Sequence, residues 1–241
     1  MNIALIFAGG TGIRMNSNAK PKQFLELNGK AIIIHTLEHF ERHSHIDAIC
    51  VVCLESHIGH LKNLLKHHHI KKVKWIAKGG ETGQQSIFNG LKQINKSLKA
   101  NKKSIVLIHD GVRPLINENL ITKCILTTRK FGNAITMTPA TETIITEGKG
   151  NQIANITDRA NCRLARAPQC FLLKDIFEAH KKAFADNKID FIDSAYLMQH
   201  YGHSLFMVEG PTENIKITTP MDYYLFKAIY EARENAQIIG I

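Results

Sequence analysis

Aromatic residues make up only 7% of the 241-residue chain, and Trp75 is the one tryptophan. Platforms that hold nucleic acid interleave aromatic and basic side chains so that bases can stack. Here the basic residues are scattered. The surplus of 31 Lys and Arg over 21 Asp and Glu, a net charge of +10, therefore points to small phosphorylated molecules and not to nucleic acid. Long apolar runs are also missing. The opening MNIALIF has no basic residue before it and runs straight into glycine, unlike a signal peptide or membrane span. The expectation is a cytoplasmic protein with no membrane partner. Cysteines number five, an odd count that fits reduced thiols better than a disulfide framework. With six prolines, no low-complexity tract and 44% hydrophobic residues, the chain reads as one α/β domain over residues 1–241 with a well-buried core.

Short apolar runs rich in β-branched residues predict strands buried on both faces at Ile3 to Phe7, Ala48 to Leu54, Val73 to Ala77 and Ser104 to Ile108. Helical stripes separate them. One contains Ile32, Ile33, Ile34, Leu37 and Phe40; another contains Ile58, Leu61, Leu64 and Leu65; a third contains Ile87, Phe88, Leu91, Ile94 and Leu98. Strand–helix alternation implies a mainly parallel, doubly wound sheet with right-handed crossovers. Ligands then bind at the carboxyl ends of the strands. Two glycine-bearing polar stretches, AGGTGIRM and HDGVRP, immediately follow predicted strands.

The first of these stretches suits phosphate. Glycine lets backbone N–H groups approach an anion closely, and Arg14, Lys20 and Lys22 follow with no acidic residue before Glu26. A dinucleotide fingerprint is broken because Met15 stands where its third glycine belongs, and no Walker-type run exists. An ordinary glycine turn explains the glycines but not the cations behind them.

The series AGGTGIRM, PKQFLELNGKAII, GGETGQQS, HDGVRP, ITDR, APQCF and ENIKITTP, in this order over nearly the whole chain, resembles the polyol-phosphate cytidylyltransferases. That family includes the 2-C-methyl-D-erythritol 4-phosphate and ribitol-5-phosphate cytidylyltransferases. The resemblance implies a Rossmann-like nucleotidyltransferase fold, a homodimer, and transfer of CMP from CTP to a polyol phosphate with release of pyrophosphate. It implies Arg14, Lys22, Lys216 and Arg159 as catalytic residues. CTP would contact Ala8, Gly9, Gly10, Thr11, Gly12, Gly80, Ser86, Asp110 and Gly111. The polyol phosphate would contact Asp110, Arg113, Thr143, Arg159 and Asp193, and Asp110 would lie at a magnesium ion. In GGETGQQS the chain departs from the usual pattern, with Glu81 and Gln85 at positions where aspartates are common and Gly83 where an arginine is common.

Residues 138–161 alternate polar and β-branched side chains around Gly148-Lys149-Gly150 and read as a two-stranded arm. In the resembled family this arm reaches the other subunit, which places Thr143 and Arg159 at the neighbour's polyol phosphate. The methylerythritol enzymes carry threonines where Ala167 and Ile192 stand here, and HDGVRP and NIKITTP look closer to the ribitol branch. The favoured substrate is therefore D-ribitol 5-phosphate, giving CDP-ribitol, with methylerythritol phosphate as the alternative. A sugar-1-phosphate nucleotidyltransferase using another base and a non-catalytic nucleotide-binding protein are the rival readings. The Cys50–Cys53 spacing reads as core, Trp75 as core, and His57, His60 and His67 to His69 as a solvated helix face.

Overall fold

The computed structural model describes residues 1–10, 20–98 and 103–239. β1 (Asn2–Ala8) is followed by a short 3₁₀ turn at Lys22–Phe24 and a small hairpin, β2 (Glu26–Leu27) and β3 (Lys30–Ala31). Then come α1 (Ile32–Arg42), β4 (Ala48–Cys53), α2 (Ile58–His67), β5 (Val73–Lys78), α3 (Gly83–Leu98) and β6 (Ile105–Asp110). The remainder is α4 (Glu118–Phe131), β7 (Asn133–Pro139), β8 (Ile144–Glu147), β9 (Ile153–Thr157), β10 (Arg163–Leu172), α5 (Leu173–Ala185), α6 (Ser194–His200), β11 (Met207–Glu209) and α7 (Pro220–Ile239). All four predicted strands are present. Among the described residues no helix is long and apolar enough to cross a membrane.

Seven strands form the central sheet in the order β11-β7-β10-β6-β1-β4-β5. β1, β4, β5 and β6 run parallel, as the alternation implied, while β10 runs antiparallel to both β6 and β7. The fold is thus a mainly parallel sheet flanked by helices. Strand alternation divides the core in two. Ala4, Ile6, Val51 and Cys53 face α1, α2 and α4, whereas Leu5, Cys50 and Val52 face α3, α5 and α6. Cys50 and Cys53 therefore point to opposite sides of β4, which removes any shared metal or redox role and bears out the core reading. Trp75 is only half-buried at the edge strand.

Register explains where a site can form. Ala8 pairs with Cys53, Phe7 with Asp110 and Cys53 with Lys78, so four strands end at one level. The turns that follow carry Gly9-Gly10, Gly79-Gly80 and Gly111, side by side at the carboxyl edge of the sheet.

The arm stands apart from this sheet. Among the described residues β8 and β9 pair only with each other, and Ile145, Ile153 and Ile156 are 52%, 57% and 63% exposed. Gly150 and Asn151 take the left-handed conformations that close the hairpin, at φ 64° and 62°.

α3 crosses close over β1 and β4 at Gly90. A Cβ there would stand 2.8 Å from Val52 Cγ2 and 2.9 Å from Leu5 Cδ1. Gly90→Ala is expected to lower stability by about 1–3 kcal/mol through overpacking, despite the better helix propensity of alanine. Denaturant unfolding checks this; an unchanged or higher midpoint contradicts it.

Candidate active site

The glycine turns at the sheet edge touch one another. A Cβ on Gly9 would lie 3.0 Å from Ser86 Oγ and 3.2 Å from Gly79 Cα, so glycine is required for the close approach of these two loops. Ser86, buried at the start of α3, accepts a 2.9 Å hydrogen bond from Gly80 N–H. Gln23, also buried, donates from Nε2 to Ala8 O at 2.9 Å and to Gly10 O at 3.3 Å. It thereby fixes the exit of β1 and sets the adjacent Lys22 over the cleft. That cleft, about 360 Å³, is lined by Gly9, Gly10, Lys22, Gly80, Ser86 and Lys216 among others. Thr11, Gly12 and Arg14 lie outside the described residues.

Asp110 ends β6 at the floor of the cleft. Its side chain is 7% exposed; Arg113 Nε donates to Oδ2 at 2.7 Å and Lys216 Nζ lies 2.6 Å from Oδ1. Burial by itself raises a carboxyl pKa, but Lys216 and Arg113 outweigh it and hold Asp110 down at about 2. Arg113 Nη1 also donates to Asn214 O at 3.0 Å, and Asn214 Nδ2 donates to Ala167 O at 2.7 Å. One buried carboxylate thus ties β6, its following turn and the segment before α7 together. Gly111 completes the turn: its N–H donates to Phe7 O at 3.0 Å, and a Cβ there would meet Ala8 Cβ at 3.0 Å.

A second cavity of about 430 Å³ opens on the other side of Asp110 and Lys216. Arg113, Arg166, Gln169 and Asp193 contribute its polar wall, and Ala167 and Ile192 its apolar part. Asp193 caps α6 by accepting from Tyr196 N–H at 2.8 Å and accepts from Gln169 Nε2 at 2.9 Å. Ile192 is 87% exposed at the rim. Thr143 and Arg159 are elsewhere, in a hollow on the arm with Asp158 and Arg163 that shares no lining residue with the two central cavities. Arg159 Nη1 donates there to Thr141 O at 2.8 Å.

Two adjoining cavities, one walled by glycine turns and a lysine, the other by arginines and amides, suit a nucleotide beside a phosphorylated partner. The sequence matches the family IspD: 2-C-methyl-D-erythritol 4-phosphate cytidylyltransferase over residues 2–232. The chain belongs to this cytidylyltransferase family. It is 50% identical over 240 residues to a ribitol-5-phosphate cytidylyltransferase of Vibrio parahaemolyticus, covering 100% of both chains. A 2-C-methyl-D-erythritol 4-phosphate cytidylyltransferase of Clostridium novyi is 36% identical over 231 residues, covering 95% of this chain and 96% of the relative. A crystal structure of 4-diphosphocytidyl-2C-methyl-D-erythritol synthase from Anaerococcus prevotii superposes with a TM-score of 0.80 at 27% identity, covering 95% of this chain and 96% of the other.

In this cytidylyltransferase, several residues at the site carry no motif signal of their own. Gln23 adjoins Lys22 but reads as an ordinary polar residue; Arg166, Gln169 and Asn214 act through contacts with distant segments. The ion pair between Asp110 and Arg113 is local, at i, i+3, whereas the Lys216 contact spans the chain. His60 is exposed, as the solvated-face reading expects, and His57 is half-buried; both rings pack on Phe24, with centroids 5.3 Å and 5.0 Å away for His57 and His60, behind the Lys22 turn. Among the described residues no three His, Cys, Asp or Glu side chains converge as a metal cluster. Asp110 is the carboxylate common to both cavities.

Asp110→Asn leaves two cations without their counter-charge and is expected to lower stability by about 3 kcal/mol, measured by denaturant unfolding at pH 7. An unaltered midpoint would show that the triad carries no structural load. The pH dependence has two windows. Burial lowers His109 and His180 to about 4. The unfolded chain takes up their protons from about 6.5 downward, so stability should fall as pH drops from 6.5 to 4. The contribution of Asp110, present above its unfolded pKa, goes only as pH falls on toward about 2.

Proposed function

We propose that the protein transfers CMP from CTP to D-ribitol 5-phosphate, giving CDP-ribitol and pyrophosphate. The observation that carries this is Asp110 with Lys216 at the junction of the two cavities, one on the glycine-turn side and one on the Arg113–Arg166 side. The 50% identity to the ribitol-5-phosphate enzyme, against 36% to the methylerythritol one, favours the ribitol substrate.

CTP would lie with its triphosphate along Gly9, Gly10 and Lys22 and its base toward Gly80 and Ser86. The Ser86 hydroxyl, already accepting from Gly80, keeps its own hydrogen for an acceptor on cytosine. Arg14 and Lys22 offset charge on the triphosphate. A phosphate oxygen of ribitol 5-phosphate attacks the α-phosphorus, the new P–O bond forms, and the bond to the β-phosphate oxygen breaks to release pyrophosphate. That phosphate is already ionised, so the step needs no strong general base and rests on positioning and charge stabilisation. Lys216, aimed by Asp110, stands where charge develops. Magnesium commonly takes one carboxylate plus phosphate oxygens and water. Asp110 fits that donor set, and the ion would neutralise triphosphate charge there.

The arm gives the proposed assembly. Its isoleucine face is marginal alone, and burying it against a second copy related by two-fold symmetry would bring Arg159 and Thr143 to the neighbour's polyol phosphate. Arginine grips phosphate bidentately, which suits that task.

Lys22→Ala should lower kcat by about 10²-fold, the loss expected for one preorganised charge donor; near-normal turnover rejects the assignment. By kcat/KM, CTP should outcompete UTP, ATP and GTP, and ribitol 5-phosphate should outcompete methylerythritol phosphate. Equal use of all four nucleotides would instead support a sugar-1-phosphate enzyme. Mixing Arg159→Ala chains with Lys22→Ala chains should restore activity above either parent, because a mixed dimer regains one complete site. Verified exchange without recovery places Arg159 in cis.

A further inference from the structure

His180 and Ser194 sit at the inner wall of the 430 Å³ cavity, and neither has a role in the chemistry above. His180, on α5, is 1% exposed and Ser194, opening α6, is 3% exposed. Neither ring nitrogen of His180 and not the hydroxyl of Ser194 has a hydrogen-bond partner among the described residues. The imidazole stacks on Phe88 with an interplanar angle of 3° and a centroid distance of 5.6 Å. A buried polar group without a partner costs about 1–3 kcal/mol relative to an apolar side chain of the same shape. The neighbouring polar groups avoid this cost: Gln84 bonds Lys188 O and Phe191 N–H, and Gln169 bonds Asp193 and Ala195 N–H. Among the described residues lining this cavity, the buried side-chain groups without a partner are those of His180 and Ser194.

We infer that His180 and Ser194 form a hydroxyl-reading subsite for the polyol chain, a specificity element that rests on the substrate reading above. A neutral imidazole offers one donor and one acceptor, and a serine hydroxyl offers both; a chain of secondary alcohols is complementary to this set and a hydrocarbon is not. The ring turns from its stacked position toward the cavity when a polyol hydroxyl enters, exchanging an unmade hydrogen bond for a made one. Ala167 and Ile192 supply no hydroxyl on the outer part of the same cavity. Recognition of the polyol is thereby shifted to its inner wall, while Arg113 and Lys216, held in place by Asp110, face the phosphate end.

The test compares wild type, His180→Phe, His180→Gln and Ser194→Ala by steady-state kinetics with CTP and ribitol 5-phosphate, by kinetics with monodeoxy analogues of ribitol 5-phosphate, and by thermal unfolding. Phenylalanine keeps the stack on Phe88 and removes both nitrogens. The expected result is a KM for ribitol 5-phosphate raised about tenfold in His180→Phe, with the KM for CTP and kcat little changed and Tm equal to or above wild type. Glutamine should recover part of the loss. One deoxy analogue should bind worse than ribitol 5-phosphate to wild type and equally well to His180→Phe. An unchanged polyol KM in His180→Phe overturns the inference, as does a rise in both KM values with a lower Tm, which marks a purely structural residue. Failure of wild type to use ribitol 5-phosphate overturns the substrate reading itself, and is read from the wild-type arm alone.

Discussion

The buried carboxylate of Asp110 organises this protein. It joins a residue at the end of β6 to Arg113 three positions on and to Lys216 beyond the last strand. Burial disfavours the charge and two cations more than compensate, so the group is ionised throughout the physiological range. Such a triad is weak evidence for net stability, since an apolar replacement of the whole set could fold as well. Its value is geometric: it holds a lysine from the far end of the chain at the junction of two cavities.

The sheet supplies the platform for that junction. Parallel pairing in register brings β1, β4, β5 and β6 to a common end, and the glycines that follow permit turns close enough for Gly9 to pack on Gly79 and Ser86. Helix-borne side chains then work over a rigid edge. Gln23 is an example, since its amide bonds two carbonyls of the β1 exit and so couples the Lys22 turn to the strand.

The two cavities differ in how fully their polar groups are paired. On the glycine-turn side Ser86, Gly80 and Gln23 are held in local hydrogen bonds, which makes a preorganised cradle. On the Arg113–Arg166 side Gln84, Gln169 and Asp193 are hydrogen-bonded, but His180 and Ser194 have no partner among the described residues. Unmet polar capacity inside a cavity lowers the stability of the fold and raises discrimination among ligands, because a ligand that lacks the matching group leaves the cost in place.

Local periodicity carried the first half of the fold. Runs such as Ile3 to Phe7 and stripes such as Ile87, Leu91 and Ile94 bury their residues whatever the partner element is, so strands β1, β4, β5 and β6 and helices α1 to α3 were legible. β10 was not, because Pro168 lies inside it and a bulge between Ala165 and Gln169 interrupts its pairing; a proline there argues against an inner strand. The motifs at Gly9-Gly10, Lys22 and Asp110 were legible as site candidates, since cations and glycines behind buried strands have few other uses, whereas Lys216 was a candidate only through the family resemblance. Only tertiary structure decided that Lys216 and Arg113 share one carboxylate. It also decided that His180 lines the 430 Å³ cavity with no hydrogen-bond partner among the described residues. The reason is physical: sequence determines which residues favour burial, charge or a turn over a few positions. Which distant groups meet is set by the sheet order, a property of the whole chain.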